Sequence, residues 1–266
     1  MKLKNILAAS LVASSLFATA TTAGAAGVFP EFTVDSTVYG GSIFEADKIT
    51  GGYTEVITFT SASTFNISLL VNFGQFFRND GTQNILGTGI NNDYQLYATF
   101  LGDGTFNTVG GATTFSLNPG GVLSVALDPG VIASAVDTTF TTPLNGSTAF
   151  GVNQGTTADI VLATGLSLTG NGSVTCTGDN NCGSFGQTTS FNLTAAGSAF
   201  FVSPVPFYNI AITTGQFNGF PVVVGGTQTL NGSADTVFNR VPEPSSLALL
   251  GVALFGVAAT VRRRKA

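Results

Sequence analysis

Histidine and tryptophan are absent from the sequence, and only 9% of its 266 residues are charged. Without histidine, the chain cannot build a Ser-His-Asp or Cys-His nucleophilic system, and most catalytic metal sites are excluded as well. The Gly-x-Gly-x-x-Gly and phosphate-loop patterns of nucleotide-binding proteins do not occur either. Among enzymatic mechanisms, one that relies on a pair of carboxylates, as in glycoside hydrolysis, remains open.

Basic residues are scarce in the body of the chain. Between residues 26 and 240, Lys48, Arg78 and Arg240 face thirteen acidic residues, so this part carries a net charge of −10. Nucleic-acid binding depends on basic groups that contact phosphates. We therefore predict no nucleic-acid partner.

Short apolar alternations, cut by Gly, Asn, Asp and Thr, fill residues 26–240. The clearest is 65–73, where apolar residues recur at every second position as in a strand with one buried face. With twenty-three phenylalanines as core filler, the pattern predicts one all-β domain, an antiparallel β-sandwich or jelly-roll-like fold. A single helical turn is predicted at 129–136. Further strands are predicted at 53–60, 94–101, 122–127, 159–163, 190–195, 199–203, 208–213, 215–224 and 234–238, and turns at 79–81, 102–104, 110–111, 118–121, 128–130, 145–146, 171–172 and 225–226.

The two cysteines, Cys176 and Cys182, lie close together in the sequence. In an exported chain an even number of cysteines predicts a disulfide, and closing this short loop would contribute about 2.4 kcal/mol. A metal or redox pair is the alternative. The spacing differs from Cys-x-x-Cys, and no histidine is present to complete a zinc site.

Carboxylates are the remaining candidates for chemistry. A catalytic pair of carboxylates would come from five acidic residues near the N-terminal end of the domain. The alternative is that these residues are solvated carboxylates of turns and edge strands. Residues 91–93 and 179–181 offer oxygen ligands for Ca²⁺, but neither matches the EF-hand pattern. We predict no cofactor, no metal and no catalytic residue. The candidate carboxylates are Glu31, Asp35, Glu45, Asp47 and Glu55.

The N-terminus has the pattern of a secretory signal. Lys2 and Lys4 precede an apolar segment at 6–18, and small residues follow up to Ala25. This order predicts a signal peptide over residues 1–25 that is cleaved after Ala25. The alternative, an amphipathic core helix, would require a charged face that the segment lacks.

The C-terminus, residues 241–266, combines three features in a fixed order. Pro242, Glu243 and Pro244 hold the chain extended, because proline restricts its own φ and the residue before it. Residues 247–261 form an apolar stretch of about 22 Å as a helix, somewhat short of the ~20 residues of an ordinary membrane span. A basic end follows this stretch, and the positive-inside rule predicts that it stays on the cytoplasmic side of the membrane. A plain C-terminal membrane anchor is one interpretation, but the short span behind Pro-Glu-Pro favours a temporary anchor that is cut. The basic residues are Arg262, Arg263, Arg264 and Lys265.

Residues 241–251, together with the arginine run, resemble a PEP-CTERM sorting signal. The resemblance implies a Gram-negative bacterium that makes exopolysaccharide. It also implies a transient stay in the inner membrane, processing by an exosortase near Pro242–Pro244, and delivery to the cell surface or extracellular matrix.

A narrower resemblance covers parts of the β domain. Residues 44–55, 72–77, 94–98 and 204–208 are similar to segments of flocculation-associated PEP-CTERM proteins. This likeness implies a non-enzymatic matrix protein that promotes flocculation or biofilm formation together with exopolysaccharide. Two alternatives remain open: a polysaccharide-binding module, with or without Ca²⁺, and a carboxylate-dependent glycosidase.

Overall fold

The computed structural model describes residues 29–130, 137–175, 183–217 and 222–239. These residues form sixteen strands, one short α helix and one 3₁₀ turn at Thr37–Tyr39. The helix α1 spans Ala195–Phe200. The strands are β1 Phe32–Asp35, β2 Ile43–Ala46, β3 Lys48–Phe59, β4 Thr64–Arg78, β5 Gln83–Asn84, β6 Gln95–Val109, β7 Ala112–Leu117, β8 Val122–Asp128, β9 Thr139–Thr141, β10 Gly151–Asn153, β11 Ile160–Val174, β12 Gly183–Thr189, β13 Asn192–Leu193, β14 Phe201–Ser203, β15 Asn209–Phe217 and β16 Thr227–Asn239.

The largest sheet closes on itself. Its strands follow the order β4-β3-β16-β15-β12-β11, and β7 and β8 then fill the space between β11 and β6. Strand β6 also pairs with β4, which completes the circuit. All of these pairs are antiparallel, and the two halves of the sheet face each other across one core. The prediction of an all-β, antiparallel sandwich is confirmed.

Phenylalanine fills much of that core. Near one end of the sheet, Phe32 and Phe207 lie edge-on to Phe238, with ring centroids 4.7 and 5.1 Å apart. Near the other end, Phe59 lies edge-on to Phe106 at 5.0 Å. Such edge-to-face pairs stabilise the core by about 0.5–1.5 kcal/mol beyond simple burial.

Most predicted strands are confirmed, but several are longer than predicted. The predicted turns at 102–104 and 171–172 are wrong, because both lie inside strands β6 and β11. A Cβ at Gly104 would lie 2.3 Å from the carbonyl oxygen of Ser116, and one at Gly172 would lie 2.4 Å from the ring of Phe185. These glycines permit close packing between strands rather than a reversal of the chain. By contrast, the turn at 79–81 is confirmed by positive φ angles at all three residues.

The region from 190 to 203 departs most from prediction. The sequence predicts strands at 190–195 and 199–203, but α1 takes the end of the first and the start of the second, and only the short β13 and β14 remain. The hydroxyl of Thr194 caps this helix by accepting the N–H of Gly197 at 3.0 Å. A helix of six residues is too short to display a 3.6-residue period. The predicted strand at 215–224 is also wrong in its start, since β15 runs without a break from Asn209 to Phe217.

Strand β4 is buried on both faces at its centre, although its alternation predicted only one buried face. Leu70 packs with Val56, Tyr97 and Ala126 on the outer side of the sheet, and Phe150 covers them. The segment that carries β9 and β10 therefore forms a second, smaller apolar layer outside the closed sheet.

One end of the closed sheet is where the described chain finishes, and we call it the exit end. Strand β16 ends there at Asn239, which pairs with Asn209 at the start of β15. Lys48, at the start of β3, lies at the same end because it pairs with Val237 and with Phe77. A three-stranded sheet in the order β14-β1-β2 lies at this end, and Phe32 of β1 joins it to the main core.

Several predictions concern residues that lie outside those described. These are the signal peptide with Ala25, the cysteines Cys176 and Cys182, most of the predicted helical turn, and the whole C-terminal segment from 241 onwards. In the described part of the chain, no helix is long and apolar enough to cross a membrane.

Candidate functional site

A polar cleft of about 710 Å³ opens at the exit end. One wall is formed by β1 and β2, and the other by the turn that joins β4 to β5. Six of the residues that line it carry hydrogen-bonding side chains, and Phe44, Ile43 and Ile85 add apolar surface. The polar residues are Glu31, Thr33, Glu45, Arg78, Asn79 and Gln83.

The register of β1 and β2 places two carboxylates on one face of this wall. Thr33 lies directly opposite Glu45, so Glu31, two residues earlier, is a diagonal neighbour of Glu45. Phe32 and Val34 point into the core. Because side chains alternate along a strand, Thr33 and Glu31 face the cleft. Diagonal neighbours of an antiparallel pair lie within reach of each other's long side chains.

The opposite wall depends on a buried aspartate. Asp47, only 3% exposed, accepts the backbone N–H groups of Asp80 and Gly81 at 2.6 and 3.0 Å. These bonds hold the turn at 79–81 in its left-handed conformation, which only glycine and residues such as Asn and Asp adopt readily. Asp47 is thus a positioning residue for the cleft and does not line it.

That turn orients a small network of donors. The Oε1 atom of Gln83 accepts hydrogen bonds from Nε of Arg78 at 3.1 Å and from Nδ2 of Asn79 at 2.6 Å. Among the described residues, no hydrogen bond or ion pair occupies the terminal amino groups of Arg78. The cleft therefore combines free donors on this wall with the carboxylate acceptors on the other wall.

An aromatic ring adds to this set. Phe44 is half-buried and packs edge-on against Phe76, with ring centroids 4.8 Å apart, and it also lines the cleft. A few convergent polar groups beside an apolar surface are typical of sites for small organic ligands. The cleft contains both hydrogen-bond donors and hydrogen-bond acceptors. Such a mixture suits a ligand rich in hydroxyl groups, because each hydroxyl both donates and accepts.

The other candidate carboxylates do not join the cleft. Asp35 accepts the hydroxyl and the N–H of Thr37, which lower its pKa. Glu55 lies inside the core at 1% exposure, and burial raises its pKa to about 7, although a hydrogen bond from the hydroxyl of Thr214 partly lowers it. Of the five residues predicted from sequence, only Glu31 and Glu45 come together.

A second acidic group was not predicted from the sequence. Thr138 donates its N–H to Asp128 at 3.0 Å and its hydroxyl to Asp159 at 2.8 Å. The hydroxyl of Tyr97 also donates to Asp159, whose pKa is raised mainly by burial. These bonds fasten the segment after residue 136 to β6 and β8, which is a structural role. Tyr97, Asp128 and Asp159 come from separate parts of the sequence, and no short-range pattern indicates that they meet.

Metal binding has no support in the described residues. Within 29–130, 137–175, 183–217 and 222–239, no group of three or more Cys, Asp or Glu side chains could hold a metal ion. Of the two candidate Ca²⁺ loops, 91–93 is a turn in which Asn91 has a φ of 63° and donates its N–H to the carbonyl of Tyr94. The loop at 179–181 lies outside the described residues.

The two cysteines of the predicted disulfide lie outside the described residues, in the stretch of sequence between β11 and β12. Val174 at the end of β11 pairs with Gly183 at the start of β12, so the strands converge on either side of the segment that contains both cysteines. The disulfide stays a prediction.

Comparison with known proteins addresses the C-terminus. The family model described as the PEP-CTERM protein-sorting motif matches residues 240–265. The chain carries a PEP-CTERM sorting motif. The match begins one residue after β16 ends, and it contains Pro242, Glu243 and Pro244 as well as the basic end, so the prediction of this signal is confirmed.

The PEP-CTERM motif indicates exosortase-dependent export and sorting to the cell surface. Neither the curated proteins nor the solved structures contain a match to this chain. The narrower resemblance to flocculation-associated proteins therefore stays a prediction. The motif places the protein at the surface, and the cleft is the described feature best suited to binding there.

Proposed function

We propose that this is a non-enzymatic surface protein of a Gram-negative bacterium that binds exopolysaccharide and thereby promotes flocculation or biofilm formation in the extracellular matrix. The observation that carries the proposal is the PEP-CTERM motif directly behind an all-β domain. The motif brings the domain to the compartment where exopolysaccharide is found. The domain contributes the cleft that contacts a polysaccharide chain.

The chemistry of the cleft supports a carbohydrate ligand. Arg78 and Gln83 offer donors, Glu31 and Glu45 offer acceptors, and Phe44 offers an apolar surface for a sugar ring. Hydrogen bonds to charged groups contribute about 1.5–3 kcal/mol each. A single site that makes only a few such bonds has a modest affinity. A polysaccharide presents many equivalent units to many copies of a surface protein, and such multivalency raises the overall affinity strongly.

Binding to polysaccharide purified from the producing cells tests the proposal. Gln83→Ala removes the acceptor that orients Arg78 and Asn79, and we expect an affinity loss of roughly 5–30-fold, equivalent to about 1–2 kcal/mol. Gln154→Ala is the matched control, because Gln154 is exposed in a loop away from the cleft. Equal affinities of the two variants would remove the cleft from the proposal.

A second function is favoured by one specific observation, the presence of Glu31 and Glu45 in the same cleft. Glycosidases use a pair of carboxylates that act on one glycosidic bond, and here both carboxylates belong to the same wall of the cleft. Incubation with the same polysaccharide, followed by a reducing-end assay, separates the two functions. Under the proposed binding function, no reducing ends appear. Release of reducing ends that is lost in both Glu31→Gln and Glu45→Gln would establish the hydrolytic alternative.

A further inference from the structure

A second cavity, of about 570 Å³, opens at the exit end, and none of the described residues that line it is charged. We call it the apolar groove. Its walls come from the residues around β13 and β14 and from the connection between β14 and β15, the 203–207 loop. The apolar lining includes Phe191, Leu193, Phe201, Pro204, Val205 and Phe207.

The apolar groove lies beside the point where the chain leaves the domain. Asn209 lines the groove and pairs with Asn239, the last residue of β16. The ring of Phe207 packs edge-on against Phe238 at 5.1 Å. The groove and the start of the sorting motif are therefore immediate neighbours.

The length of the connecting chain limits how far this end can lie from a membrane. Seven residues, 240–246, separate Asn239 from the predicted membrane segment at 247–261. Fully extended, seven residues span at most about 25 Å. Whenever the apolar segment is inserted, the exit end is held close to the bilayer.

The exit end also carries unusually exposed apolar side chains. Among the described residues, four large apolar side chains are more than 80% exposed: Val38, Leu86, Val205 and Leu144. The first three lie in connections at the exit end, between β1 and β2, between β5 and β6, and between β14 and β15. Single exposed apolar residues are common, and among these three Val205 is the one that lines the apolar groove.

We propose that the apolar groove and the 203–207 loop contact the lipid surface while the chain is anchored by its C-terminal segment. The proposal rests on the sorting route that the proposed function assumes, and on the transient membrane anchor predicted from the sequence at residues 247–261. Val205 at the tip of the loop enters the headgroup region, and the groove behind it loses contact with water. The contact holds the exit end against the bilayer, and so keeps the processing motif at membrane level.

Charge decides which lipids suit this surface. Lys48 and Arg78 lie at the exit end together with Glu31 and Glu45, but the residue joined to the groove's surroundings is acidic, since the hydroxyl of Tyr208 beside the groove donates to the backbone carbonyl of Glu31 at 3.1 Å. Carboxylates so near the contact are repelled by anionic headgroups. A zwitterionic surface is therefore favoured, and the contact is apolar and insensitive to salt.

Site-specific fluorescence in reconstituted vesicles tests the contact. The full chain is prepared with Cys176→Ser and Cys182→Ser, and one new cysteine is added as Val205→Cys or Val224→Cys. Val224 is the matched control, because it is exposed in the connection between β15 and β16 at the opposite end. Each cysteine carries a polarity-sensitive dye, and the phosphatidylcholine–phosphatidylethanolamine vesicles contain a nitroxide-labelled lipid as quencher.

The expected result is at least threefold stronger quenching at position 205 than at position 224, unchanged by salt and weakened when anionic lipid is added. Equal quenching in vesicles that do carry the protein would overturn the contact and leave the anchored intermediate intact. Failure of the protein to float with the vesicles would overturn both the lipid contact and the membrane-anchored intermediate. Cross-linking between two chains through position 205, without quenching, would identify a second copy as the occupant and overturn the lipid contact.

Discussion

The buried carboxylate of Asp47 accepts the backbone N–H of Asp80 at 2.6 Å. This bond joins the connection between β2 and β3 to the turn that forms one wall of the cleft. Asp47 was one of five candidate catalytic carboxylates in the sequence, and the structure gives it a positioning role.

Replacing Asp47 tests that role. Asp47→Ala leaves two backbone N–H groups without their acceptor, and we expect a loss of about 1–3 kcal/mol in the free energy of unfolding. Asp47→Asn keeps one carbonyl acceptor, so it is expected to lose less. Urea unfolding of both variants provides the measurement, and equal stability of Asp47→Ala and the parent chain would contradict this account of the turn.

Glu55 predicts a pH dependence of stability. Its folded pKa is about 7, above the ordinary value near 4.5, so between these values the folded chain binds the proton and the unfolded chain does not. Stability must therefore fall as pH rises from about 4.5 to 7, by up to about 3 kcal/mol from this group. Glu55→Gln keeps the size of the side chain but cannot titrate, so it should flatten that part of the profile. Parallel profiles of the parent and Glu55→Gln would show that Glu55 titrates normally.

Gly104 predicts a steric effect within a strand. A Cβ at this position would lie 2.3 Å from the carbonyl oxygen of Ser116, so Gly104→Ala should cost about 1–3 kcal/mol in stability. Gly186→Ala is the matched control, since the nearest atom to its Cβ would be Oγ1 of Thr213 at 3.6 Å. Thermal unfolding compares the two variants. Similar melting temperatures would mean that β6 and β7 do not approach as closely as described.

The disulfide predicts a response to reduction. Peptide mapping without reductant should recover Cys176 and Cys182 in one cross-linked peptide. Reduction, or the double replacement by serine, should lower stability by about 2 kcal/mol. Quantitative alkylation of both cysteines in the unreduced protein would rule the bond out.

The sequence predicted the strands with regular alternation, because a buried face leaves a period of two whatever the rest of the fold does. The sequence-based prediction was wrong where a residue type that favours one local structure is used in a different one because of tertiary contacts. Gly104 and Gly172 belong to a residue type that favours turns, yet their lack of a side chain serves packing against Ser116 and Phe185. The helix Ala195–Phe200 is defined by a cap and by burial, neither of which leaves a periodic signal in six residues.

The candidate site was predictable only in part. Glu31 and Glu45 were among the candidate acids, but their meeting depends on the register of β1 and β2. The position of that pair depends in turn on the contact of Thr33 with Ser203, which lies 170 residues further along the chain. Arg78 and Gln83 gave no signal, since an isolated arginine and glutamine beside a turn are unremarkable in sequence. The C-terminal motif was recognised completely, because its information is local and ordered.

We expect this chain to be exported, sorted through its C-terminal motif and cut before it works at the surface. Intact-mass spectrometry of the protein released from the surface of the producing cells measures both ends of the mature chain. Export and sorting together predict a mature chain that begins at Ala26 and ends near Pro242–Pro244. Recovery of surface protein that still contains residues 247–265 would contradict it.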